Sequence, residues 1–125
     1  MLGLFWTQVR PPVVHVGPEG LRVDMLFYGA TFPAGDVVGV SLEPRLPRVL
    51  ARTNGFAGAG TLRGWFLVEG WGKGRLYVDE GIAHCVVVRL REGFVAVNFR
   101  EPERTRALYE EIARQWPDLV ATPSP

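Results

Sequence analysis

The chain has 125 residues, of which 47% are hydrophobic and 22% are charged, and its formal net charge is +1. This length and balance predict one globular domain with a real core, and the near-neutral charge gives no electrostatic case for nucleic-acid binding. The single cysteine excludes a disulfide framework, and no apolar run is long enough to span a membrane. We therefore expect a cytoplasmic protein without a transmembrane segment.

The first half of the chain predicts short strands between turns. Residues 1–12 form an N-terminal segment whose apolar stretch, Met1 to Trp6, is too short for a signal peptide core. Strands are then predicted at residues 13–16, 21–28 and 36–42, and clusters of Gly and Pro separate them. This spacing of about ten residues per strand favours an all-β domain and leaves no room for βαβ crossovers.

Residues 43–61 lose the alternating pattern. The stretch is rich in Gly and Pro and carries Arg45, Arg48 and Arg52. A long irregular segment in a compact domain is often functional or mobile, so we predict an exposed loop here.

The second half predicts four more strands and then one helix. The strands are expected at residues 65–68, 75–79, 85–90 and 94–99. Pro102 suits the first turn of a helix, and apolar residues then recur every four positions at Leu108, Ile112 and Trp116. We predict a helix from Pro102 to Gln115 that packs on the strands, a domain spanning residues 13–117 and a tail at residues 118–125.

The Gly and aromatic spacing resembles the bacterial PH-like domain family. The similarity rests on Arg52-Thr53-Asn54-Gly55, Gly64-Trp65-Phe66, Gly74-Arg75-Leu76-Tyr77-Val78 and Val97-Asn98-Phe99, and it spans residues 12–116. It implies a mainly β, PH-like split barrel of about seven antiparallel strands with one C-terminal capping α-helix. The first predicted hairpin turn, at residues 17–20, has an acid and no base. This departs from the basic hairpin that binds phosphoinositides in eukaryotic PH domains.

The motifs give no catalytic, metal or cofactor site. The glycines between residues 55 and 74 have neither the spacing of a phosphate loop nor that of a dinucleotide fingerprint, so we expect them to bend strands. His84 and Cys85 are adjacent in a predicted strand and would face opposite ways, which excludes a shared metal and a Cys–His nucleophile. We expect no cofactor and no enzymatic activity.

Basic side chains interleaved with aromatic ones give the candidate contact surface. Its members are Arg45, Arg48, Arg52, Arg63, Trp71, Lys73 and Arg75. They fit an anionic partner, but solvated loop charge explains the basic residues equally well. Trp71 is interpreted either as an exposed contact residue or as a side chain folded back to plug a barrel end.

The function expected from these features is a binding or scaffolding module. It would recognise a protein partner by adding a strand at an open sheet edge or through a groove beside the helix, or it would self-associate. The alternative is a peripheral domain that binds anionic lipid through the Arg-rich stretch, which would place it at the membrane surface.

Overall fold

A computed structural model describes residues 10–121 of the chain. Most of the predicted N-terminal segment and the last four residues of the predicted tail lie outside this range. The described residues form nine strands and one α-helix, with short 3₁₀ turns at Ala34–Asp36 and Pro117–Leu119. The elements are β1 (Val13–Gly17), β2 (Gly20–Asp24), β3 (Ala30–Pro33), β4 (Val37–Glu43), β5 (Val49–Gly58), β6 (Thr61–Val68), β7 (Gly72–Asp79), β8 (Cys85–Leu90), β9 (Phe94–Val97) and α1 (Pro102–Gln115).

The strands form two sheets. One has three strands in the order β1-β2-β3, and the other has six in the order β4-β8-β9-β7-β6-β5. Neighbouring strands are antiparallel except β7 and β9, which pair in parallel from Arg75–Tyr77 to Val95–Val97. The exception arises because the tight turn after β8 sends β9 back between β8 and β7, where its direction matches that of β7.

Two hydrophobic clusters lie on opposite faces of the six-stranded sheet. Along β7, Tyr77 belongs to the first cluster, whereas Leu76 and Val78 belong to the second. The first cluster is shared with the three-stranded sheet and α1, and the second is covered by Leu46, Val49 and Trp71. The central strands are therefore buried on both faces, which explains their runs of consecutive apolar residues.

The helix covers the first cluster. Leu108 and Ile112 are buried and belong to that cluster, and half-buried Trp116 packs beside them. Pro102 occupies the first turn, and the Oγ1 atom of Thr105 accepts a hydrogen bond of 2.9 Å from the backbone N–H of Phe99. The predicted helix is confirmed at both ends, since its local signals of Pro, an apolar stripe and a following Pro agree with one another.

The two edges of the six-stranded sheet differ. Val120 forms a parallel bridge with Val40 of β4, and the N–H of Ala121 donates to the Val40 carbonyl at 2.8 Å. The residues after α1 thus cover part of the β4 edge. Among residues 10–121, no strand pairs with the outer side of β5.

The predicted fold class is confirmed: the protein is mainly β, with two sheets and a single C-terminal helix, and is broadly consistent with a PH-like split barrel. Nine strands are present rather than about seven. The predicted strand at residues 21–28 ends at Asp24, since Phe27 adopts a φ of 74° in the turn that follows. β3 (Ala30–Pro33) lies in the stretch between the predicted strands at residues 21–28 and 36–42, where no strand was predicted.

We expect truncation of the buried helix side chains to destabilise the protein. Leu108→Ala and Ile112→Ala should each lower the free energy of unfolding by roughly 2–5 kcal/mol, because each leaves a cavity in the first cluster. Urea denaturation measures the loss. Arg106→Ala, at an exposed position of the same helix, is the matched control and should stay within about 0.5 kcal/mol of the wild type. Equal stability of all three variants would mean that α1 does not pack on the sheets.

Candidate functional site

The seven residues of the predicted contact surface do not form a single surface. Exposed side chains are those of Arg45, Arg48, Arg52 and Lys73. Trp71 and Arg75 are half-buried, and Arg63 is completely buried. The groups are also separated in the fold: Arg45 and Arg48 precede β5, Arg52 lies within it, and Lys73 and Arg75 lie on β7.

Arg63 is a structural residue, so its predicted role in a surface is wrong. Its Nη1 atom donates to the carbonyl oxygens of Leu62 and Val78 at 3.0 and 2.9 Å, and its Nη2 atom lies 3.8 Å from Oδ1 of Asp79. Burial lowers the pKa of the Arg63 guanidinium, and the charge of Asp79 opposes that shift. Arg63 lies near the start of β6, and its side chain is fully buried, so it is not accessible to a partner.

A hydrogen-bonded network around Asp79 fixes the end of β7. Thr61 donates its hydroxyl to Oδ1 of Asp79 at 2.8 Å. The side-chain amide of Asn98 accepts from the backbone N–H of Asp79 at 2.7 Å and donates to its carbonyl at 3.1 Å. Asn98, which follows β9, therefore joins the ends of β7 and β9 where the parallel pairing stops. Sequence reasoning missed this network because nothing in the local pattern links residues so far apart.

The network forms one side of a groove of about 550 Å³. The segment at residues 44–49 lines the groove opposite the turn at residues 79–83, and Asn98 contributes between them. Exposed Arg45 and Arg48 also line it, on the segment that leads into β5. The groove thus combines two basic side chains with a rigid polar wall at one end of β5.

The segment predicted as a loop at residues 43–61 contains β5, so that prediction is wrong. β5 pairs with β6 from Val49 to Gly58, with register shifts that skip Leu50 and Thr53. Its side chains are mostly exposed because it is the last strand of the sheet, and this exposure removes the hydrophobic alternation. The sequence signal that could have indicated β5 is the turn after it, at Ala59 and Gly60. Both residues have positive φ in the structure, as a two-residue turn between strands requires.

Trp71 is not a free contact residue. Its ring makes an edge-to-face contact with Phe94 at a centroid distance of 5.3 Å, and the guanidinium of Arg89 lies 5.5 Å from its centroid. It packs against the second hydrophobic cluster. The sequence left two interpretations of Trp71 open, and the structure has the second, in which the side chain folds back onto the domain.

Lys73 and Arg75 are organised around Trp65. The Arg75 guanidinium lies 4.4 Å from the centroid of the Trp65 ring, and the Lys73 ammonium lies 5.2 Å from it. Such cation–π contacts fix the orientation of long basic side chains. This pair lies on one face of β6 and β7, apart from the groove beside Arg45.

The described residues contain no group of three or more His, Cys, Asp or Glu side chains able to hold a metal ion. Cys85 is buried in the second cluster, and burial, followed by the charge of Glu43, raises its pKa to about 12. The thiol therefore stays protonated at neutral pH and is a poor nucleophile. No described helix is both long and apolar enough to cross a bilayer.

Comparisons with protein-family models, with curated proteins and with solved structures found no match to this chain. The PH-like resemblance thus remains a hypothesis that rests on the residues quoted above.

The raised pKa of Cys85 predicts a loss of stability at alkaline pH. The folded state binds its proton more tightly than the unfolded state does, so this contribution is complete below the ordinary thiol pKa of 9.0 and falls as the pH rises toward about 12. Between about pH 8 and pH 10.5, the free energy of unfolding should fall more steeply in the wild type than in Cys85→Ala. Urea denaturation at several pH values gives both slopes. Equal slopes in the two proteins would show that ionisation of the buried thiol does not contribute to the pH dependence of stability.

Proposed function

We propose that this protein is a non-enzymatic binding module that holds an extended, acidic segment of a partner protein as an added strand along β5. The observation that carries the proposal is the open outer edge of this ten-residue strand. The proposal takes the first of the two recognition modes expected from the sequence, strand addition, and assigns it to β5.

The backbone of β5 supplies the binding groups. In an antiparallel pair only alternate residues exchange hydrogen bonds with their neighbour, so the other N–H and C=O groups of an edge strand point outward. Residues 50–54 of β5 are exposed, and no described strand uses these outward groups. An extended peptide can therefore pair with them, which gives affinity with little demand on side-chain identity.

The contrast with the other edge supports β5 as the binding edge. β4 has a bridge to Val120 and a hydrogen bond from Ala121, so the chain itself occupies part of that edge. β5 is also the longest strand. A long uncovered edge is prone to pair with another chain.

The charge near β5 selects an acidic partner. Arg45, Arg48 and Arg52 are exposed, and none of them forms an ion pair with a residue in the described range. Arg45 and Arg48 line the groove at one end of β5, where Asp79 and Glu80 offset part of their charge, and Arg52 lies on β5 itself. An acidic segment along β5 would therefore pass Arg52 and reach Arg48 at the groove. The same cations support the alternative, a domain that binds anionic lipid, but lipid binding makes no use of the strand edge.

A proline on β5 tests the proposal. Thr53 is skipped in the pairing with β6, so Thr53→Pro should block an added strand while leaving most of the hairpin intact. Val38 is likewise skipped on β4, so Val38→Pro is the matched control on the opposite edge. We expect acidic peptides selected from a random display library to bind the wild type and Val38→Pro, and to bind Thr53→Pro at least about tenfold more weakly by fluorescence anisotropy. Equal binding to all three proteins would contradict strand addition.

A set of charge-reversal variants distinguishes binding of an acidic peptide from binding of anionic lipid. Reversal of Arg45, Arg48 and Arg52 to Glu should weaken peptide binding, as should added salt, while each change alters the free energy of unfolding by less than about 0.5 kcal/mol. Binding of anionic vesicles that is lost in this triple variant but kept in Thr53→Pro would favour the lipid alternative. Light scattering addresses self-association: a dimer that Thr53→Pro dissociates would make a second copy the occupant of β5.

A further inference from the structure

Arg75 is held in a second concave site, on the face of β6 and β7 toward the three-stranded sheet. This pocket has a volume of about 450 Å³. It is lined by Arg75, Trp65 and Asn54 of the six-stranded sheet and by Phe27 and Tyr28 of the turn between β2 and β3. Neither Arg45 nor Arg48 lines it, and Asn54 is the one residue of β5 that it includes.

The Arg75 guanidinium is fixed in place. Its central carbon lies 4.4 Å from the Trp65 ring centroid and 5.7 Å from the Phe32 ring centroid. Contacts with two rings hold the planar guanidinium in one orientation. The Arg75 side chain therefore loses little conformational entropy when a ligand binds.

The charge of Arg75 is uncompensated in the described part of the chain. None of the ion pairs between described residues includes it, and no carboxylate lines the pocket. Its Nε atom is buried and has no hydrogen-bond partner within residues 10–121. Its side chain also hydrogen-bonds to the side chain of Tyr77, which is a neutral partner and leaves the charge without a counter-ion. An anion beside the guanidinium would add a charge-assisted hydrogen bond.

The side chains that line the pocket restrict the kind of anion that it can bind. Trp65, Phe27 and Tyr28 supply ring faces and edges, and Phe27 is 66% exposed in a left-handed backbone conformation with a φ of 74°. Gly64 permits a close approach of β5 and Tyr28, since a Cβ atom there would lie 2.8 Å from the Asn54 carbonyl oxygen and 3.0 Å from the Tyr28 ring. Most of the accessible lining is polar, and the aromatic rings stand at its margin. One guanidinium fork and one neutral amide match a planar carboxylate better than a phosphate, which usually needs more donors.

We propose that this pocket binds a carboxylate attached to an apolar or aromatic body, with Arg75 as the residue that pairs with the carboxylate and Trp65 and Phe27 as the walls that hold the body. The carboxylate belongs either to a free organic acid or to the C-terminus of a peptide. Both sources present the same planar, singly charged group.

Nuclear magnetic resonance of the full ¹⁵N-labelled chain tests the site with phenylacetate as the probe. We expect saturable shifts of the Trp65 indole N–H and the Asn54 side-chain amide, with a Kd of about 1 mM for so small a ligand. Phenylacetamide, the neutral isostere, should bind at least about tenfold more weakly because it offers no charge to the guanidinium. A peptide ending in a free phenylalanine carboxylate, compared with its amide, distinguishes a chain terminus from a free acid.

Arg89 provides a matched control, since it also contacts a tryptophan ring but lies away from this pocket. Arg75→Gln should weaken phenylacetate binding at least about tenfold, Arg75→Lys should give an intermediate loss, and Arg89→Gln should leave binding unchanged. Arg45→Glu and Arg48→Glu change residues outside this pocket and should also leave phenylacetate binding unchanged, which separates this site from the groove beside β5. If Arg75→Gln does not fold, the acid–amide comparison on the wild type decides. Equal affinity for acid and amide, undiminished binding to folded Arg75→Gln, or shifts centred on Trp71 would overturn the proposal.

Discussion

Backbone hydrogen bonding in the six-stranded sheet determines which strands can be buried and which must face solvent or a partner. Buried N–H and C=O groups must be hydrogen-bonded, so the inner strands can lie between two hydrophobic clusters only because neighbouring strands satisfy them. The two outermost strands cannot be satisfied in this way. The chain covers part of β4 with residues 120–121, and the described chain leaves β5 to solvent.

The double core makes that edge rigid. β7, β8 and β9 have side chains in both clusters, and Asn98 ties the ends of β7 and β9 together through the backbone of Asp79. Arg63 adds hydrogen bonds to two carbonyl groups from a fully buried position. A strand that is hydrogen-bonded to such a framework presents its outward backbone groups in a fixed geometry, which lowers the entropy lost when a partner pairs with them.

Local signals predicted the elements whose residues alternate clearly or carry strong end signals. The strands at residues 85–90 and 75–79 and the helix Pro102–Gln115 are of this kind. The predictions failed where tertiary context decides. β5 is exposed on both sides, so its sequence lacks the hydrophobic alternation of a half-buried strand. The parallel pairing of β7 with β9 depends on the order of strands in the sheet. Arginine is buried at Arg63 and exposed at Arg52, so the residue type alone does not predict its environment. The pocket at Arg75 brings together residues from four parts of the chain, which no sequence spacing shows.

Native-state hydrogen exchange of the β5 amides in the free, monomeric protein tests the open edge most directly. Local openings and solvent-exposed amides exchange fastest, whereas amides in a paired core strand exchange only through large openings. We predict both fast and slow amides along Val49–Gly58, with the slow amides bonded to β6 and the alternation interrupted at Leu50 and Thr53, and uniformly slow exchange along β8 and β9. Uniform protection along β5 in the monomer would contradict this account, because it would show that the outward groups are already paired.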